Sequence, residues 1–66
     1  MPELFGVSLV EQIACVEREI KLRERVYPRR IAARQMSKDL ADRELERMRA
    51  VLATLHDLER GDRGPL

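Results

Sequence analysis

Apolar residues recur with a helical period along the first part of the chain. Leu9, Ile13, Val16, Ile20 and Tyr27 stand at spacings of four, three, four and seven, which lines them along one stripe of an α-helix. Ser8 supplies the N-cap, and Glu11 three residues on completes a capping box, in which each side chain accepts from the other residue's backbone N–H. A second stripe runs through Ala41, Leu45, Met48, Leu52 and Leu55, widened by Leu40, Val51 and Leu58, and predicts a helix over about 38–60. Ser37 caps that helix, Asp39 and Asp42 bring negative charge to its positive end, and Gly61 stops it.

Between the stripes stands Pro28, whose ring removes a hydrogen bond and biases Tyr27 away from helical angles. Two outcomes follow: a kinked helix running on to Arg34, or a break with Pro28 in the first turn of a short new helix. The break is preferred. The chain then reads as an arm over 1–7, a hairpin over 8–60 and a tail over 61–66. Within the hairpin, helices at about 8–27 and 38–60 are joined by a short helical connection over 28–35. At about 1.5 Å per residue the two helices span about 27 and about 34 Å, close enough to pair along their length. The predicted fold class is all-α, an antiparallel helical hairpin.

Two helices leave part of a wide apolar stripe in water, and a 66-residue chain without a disulfide is marginal on its own. The expected remedy is a homodimeric four-helix bundle built on Leu9, Ile13, Val16, Ile20, Leu45, Met48, Leu52 and Leu55. So short a chain, with 3% aromatic residues, has little means of enclosing a substrate pocket, so an enzyme is not expected. The lone Cys15 rules out an internal disulfide and fits a reducing, cytoplasmic compartment. No apolar leader or membrane segment is read near Met1.

Charge changes the picture locally rather than globally. The net charge is +1, yet from Lys21 to Lys38 seven cations face only Glu24, a balance of +6 against −5 elsewhere. Arg25, Tyr27, Arg29, Arg30 and Arg34 are therefore the candidate partner-binding residues, because arginine and tyrosine are favoured anchors and arginine matches acidic groups bidentately. A protein partner, acidic in character, is favoured. Nucleic acid is the weaker alternative, since the acidic arms and the scarcity of stacking aromatics oppose it.

The remaining reactive residues read as structural. His56 has Glu59 within helical reach but no second His or Cys to complete a metal site. Cys15 lies one position off the core stripe and reads as a small apolar filler. Arg23 falls near the seam and is expected to snorkel or to pair with a carboxylate of the other helix. No catalytic residue, metal ligand or cofactor site is expected.

The run from Ile13 to Arg30, with its Glu17-Arg18-Glu19 and Val26-Tyr27-Pro28 segments, together with Met36-Ser37, Glu44-Leu45 and Met48 to Leu55, resembles a group of short proteins common in tailed-phage and prophage genomes. The likeness covers residues 9 to 55 or so. The predicted architecture is similar to that of small phage-encoded helical-hairpin inhibitors of host proteins. The resemblance implies an accessory protein of a bacterial cytoplasm that binds another protein. A nucleic-acid-binding factor of a phage replication or recombination region, or a structural subunit of a phage assembly, are the alternatives.

Overall fold

The computed structural model describes residues 3–4 and 6–61, with side chains from 6 to 61. Of the expected tail at 61–66, residues 62–66 lie outside the described residues, as do 1, 2 and 5 of the arm. Two short strands, β1 (Glu3–Leu4) and β2 (Val7–Ser8), precede two long helices, α1 (Leu9–Ala32) and α2 (Lys38–Arg60). The chain is a two-helix hairpin, elongated to 43 × 27 × 16 Å.

Part of the arm folds back on itself. β1 pairs antiparallel with β2, Leu4 opposite Val7, and Gly6 takes the positive φ of 80° that closes the reversal. Gln12 Nε2 donates to the Val7 carbonyl at 3.0 Å and ties this reversal to the helix. The capping box at the start of α1 is complete: the Glu11 N–H donates to Ser8 Oγ and the Ser8 N–H to Glu11 Oε1, both at 3.2 Å. Ser37 Oγ accepts from the Leu40 N–H at 3.1 Å at the start of α2, and Gly61 ends α2 in the left-handed region at φ 74°.

Pro28 does not break the first helix. α1 runs through it to Ala32, which corrects the preferred break and moves the connection from 28–35 to 33–37. The physical reason is tertiary. Ile31, four residues beyond Tyr27, continues the same stripe and is half-buried, so ending the helix at Tyr27 would forfeit that packing.

The new terminus is a Schellman motif. The Arg34 N–H donates to the Ile31 carbonyl at 3.0 Å and the Gln35 N–H to the Arg30 carbonyl at 2.8 Å. Arg34 itself takes φ 60°, the left-handed position usually given to glycine. Relief of this strain, less the greater freedom glycine has when unfolded, is worth about 0.5–1 kcal/mol. Arg34→Gly is therefore expected to raise the melting temperature by about 4 °C, and Arg34→Ala to leave it unchanged. Thermal denaturation followed by circular dichroism checks both.

The core lies between the helices. Leu9, Ile13, Ile20 and Tyr27 of α1 and Ala41 of α2 are buried, while Val16, Ile31, Leu45, Met48, Leu52 and Leu55 are half-buried. Antiparallel register is fixed by two cross-helix contacts. Arg49 Nη2 lies 2.6 Å from Glu24 Oε2, and His56 Nε2 lies 3.7 Å from Glu17 Oε2. Each helix advances seven residues between these contacts, in opposite senses. Five buried side chains make a thin core, because each helix has one neighbour and can bury only the edge that faces it.

Candidate functional site

The basic segment occupies the last turns of α1 and the connection. Arg25, Arg29, Arg30 and Arg34 are all exposed, whereas Tyr27 is 8% exposed and belongs to the core. The expected five-residue cluster therefore separates. Its arginines form a surface, and Tyr27 supports that surface from beneath rather than contacting a partner.

The arginine surface extends further along α1 than expected. At 100° per residue, Arg18, Lys21, Arg25 and Arg29 follow one another at spacings of three, four and four along the side of α1 turned away from α2. Arg18 to Arg29 covers about 16 Å of helix at about 1.5 Å per residue. Among the described residues, none of Arg18, Lys21, Arg25, Arg29, Arg30 and Arg34 has an acidic partner. Most other cations are paired: Arg23 with Glu19, Lys38 with Asp42, Arg47 with Glu44, Arg49 with Glu24 and Arg60 with Asp57. Lys21 stands four residues from Glu17, a spacing that suits a local ion pair equally well, and Arg18 lies outside the basic stretch counted from Lys21.

Arg23 departs from expectation in its partner. Its Nη1 reaches Glu19 Oε1 at 2.6 Å and the Glu19 carbonyl at 3.1 Å, both on its own helix. The Glu19 hydrogen bond holds the guanidinium above its ordinary value, against the opposing effect of burial. A carboxylate one turn back is within reach whatever the neighbouring helix does, so the local pair wins.

A groove of about 480 Å³ opens beside the arginines at the connection end. Tyr27, Pro28, Ile31, Ala41 and Leu45 line it, and Glu24, Lys38 and Asp42 stand among its polar residues. The Lys38 ammonium is 2.8 Å from Asp42 Oδ2, and that hydrogen bond raises its pKa above the usual lysine value. Every charge on this rim is thus matched within the chain.

Cys15 is exposed rather than a core filler, because one position off the stripe turns it about 100° from the seam. His56 stands between two carboxylates, Nε2 facing Glu17 across the seam and Nδ1 facing Glu59, each at 3.7 Å. Among the described residues no group of three or more His, Cys, Asp or Glu is placed to hold a metal ion, and no helix is long and apolar enough to cross a membrane. Comparison with protein-family models, curated proteins and solved structures finds no match, so the functional reading rests on the chain's own surfaces.

Proposed function

We propose that this chain is a small, non-catalytic binding protein, a phage- or prophage-encoded accessory factor of the bacterial cytoplasm. In this reading it works as a homodimeric four-helix bundle and docks an acidic surface of another protein, such as a host factor, through Arg25, Arg29, Arg30 and Arg34. One observation carries the reading: among the described residues, six of the seven cations outside any ion pair, all but Arg43 of α2, lie along α1 or in the connection that follows it, while the others are neutralised within the chain. Exposed arginines without internal partners keep their bidentate capacity for carboxylates. A protein is favoured over single-stranded nucleic acid because Tyr27, the aromatic residue of the basic segment, is buried and offers no base a stacking platform.

The test replaces Arg25, Arg29, Arg30 and Arg34 together with Gln. Binding is followed by fluorescence anisotropy to a labelled glutamate-rich helical peptide and to a short DNA duplex. At about 0.2–1 kcal/mol for each exposed ion pair, the four changes should weaken peptide binding by about tenfold or more while helicity stays intact. Unchanged peptide binding overturns the surface. Tighter binding to the duplex, falling steeply as salt rises, would move the function to nucleic acid.

A further inference from the structure

We infer that the acidic partner presents an α-helix, which lies along the outer side of α1 with its carboxylates over Arg18, Lys21, Arg25 and Arg29. This rests on the acid-binding surface proposed above. It names the form of the partner and adds Arg18 and Lys21, which lie back along α1 from the connection end.

The row is uncompensated because each acid of α1 is engaged elsewhere. Glu11 Oε1 accepts from the Ser8 N–H at 3.2 Å, Glu19 meets Arg23 and Glu24 meets Arg49, both at 2.6 Å, and Glu17 faces His56 across the seam at 3.7 Å. At 100° per residue the four cations fall within about 80° of one another, on the side of α1 opposite the core stripe. Lys21, Arg25 and Arg29 repeat at the i, i+4 spacing, at which like charges repel, and carboxylates laid over them remove that repulsion. Arg18, Lys21 and Arg25, with Ala14 and Leu22 between them, also line a depression of about 580 Å³ whose edges carry Glu17 and Glu19. Leu22 is 39% exposed there, so an apolar side chain of the partner can rest among the cations.

The spacing of the row selects a helix as the occupant. Steps of three, four and four residues advance about 4.5, 6 and 6 Å, and a second helix with acids at the same spacings advances in step. A strand presents side chains on one face every 6.8 Å or so, and after three steps it has run about 4 Å past the row. A nucleic-acid duplex can hold a helix in its major groove, but its phosphates would then close on both edges of α1. Glu17 and Glu24 stand on one of those edges and Glu19 on the other. The chain's net charge of +1 adds no long-range pull toward phosphates.

The test uses two labelled alanine-based peptides of identical composition, each with four glutamates and one leucine and each held helical by the same hydrocarbon staple. One carries its glutamates at spacings of three, four and four, and the other spreads them around the helix. Followed by fluorescence anisotropy, the full chain should bind the patterned peptide about fivefold more tightly than the scrambled one. Arg18→Gln with Lys21→Gln should weaken the patterned peptide about fivefold with circular dichroism unchanged. Arg30→Gln with Arg34→Gln, off the row, should weaken it less than twofold. Equal binding of the two peptides overturns the helical partner and leaves the acid-binding surface standing. A loss confined to the Arg30 and Arg34 variant overturns the row and returns the contact to the connection end. Failure of both acidic peptides to bind, or tighter binding to a short DNA duplex, overturns the row and the acid-binding surface together.

Discussion

Tyr27→Ala is expected to leave the chain largely unfolded at 25 °C. Tyr27 is the largest of the five buried side chains, and it fills the seam beside Ala41 and Leu45 at the connection end. Truncating a buried aromatic costs about 3–5 kcal/mol, and the single core of a chain of 66 residues rarely supplies more than about 3–5 kcal/mol in total. Tyr27→Phe keeps the ring and should cost less than about 1 kcal/mol. Arg29→Ala, on the exposed side of the same helix, should shift stability by no more than about 0.5 kcal/mol. Urea denaturation of the three variants at one protein concentration measures all of this. A Tyr27→Ala midpoint close to the parent's would return Tyr27 to the surface and restore it as a candidate contact residue.

Tyr27 also marks where sequence reasoning divides. Its place in the series Leu9, Ile13, Val16, Ile20, Tyr27 assigns it to the core, while its arginine neighbours suggest an interface anchor. The period was the better guide, because a side chain's angle around a helix is fixed by backbone geometry and a neighbour's charge is not. Caps were legible for the same local reason: Ser8 with Glu11, Ser37 and Gly61 each act within one turn of chain. Pro28 was read by a local rule that lost to packing, since Ile31 and the Schellman motif beyond it lie on the far side of the proline.

The way the two helices face each other was legible only in part. Helical period places Val26 and Val51 on an edge of each helix, but whether the two edges share one side of the hairpin depends on which way the second helix turns. That is settled by Glu24 meeting Arg49 across the seam. The same limit hid the identity of the unpaired cations. The basic balance between Lys21 and Lys38 is a count, whereas knowing that Arg49 is satisfied and Arg25 is not requires the register.

Pro28→Ala is expected to stabilise the hairpin by about 2 kcal/mol and to raise its melting temperature by about 10 °C. Proline inside a helix costs about 3 kcal/mol relative to alanine, because it lacks the N–H that would bond the Glu24 carbonyl and its ring crowds that carbonyl. About 1 kcal/mol is returned on substitution, since alanine gives the unfolded chain more freedom. Little packing is lost, because Pro28 is exposed. The outcome bears on function as well as stability, for Pro28 sits between Arg25 and Arg29 in the sequence and lines the groove at the connection end. A proline inside a helix is costly, and this one stands among the arginines of the proposed surface. If Pro28 sets the direction in which α1 presents Arg29 and Arg30, the stabilised variant should bind the acidic peptide more weakly although every arginine remains. If peptide binding is unchanged while the melting temperature rises, Pro28 only limits stability and the arginines act by charge alone.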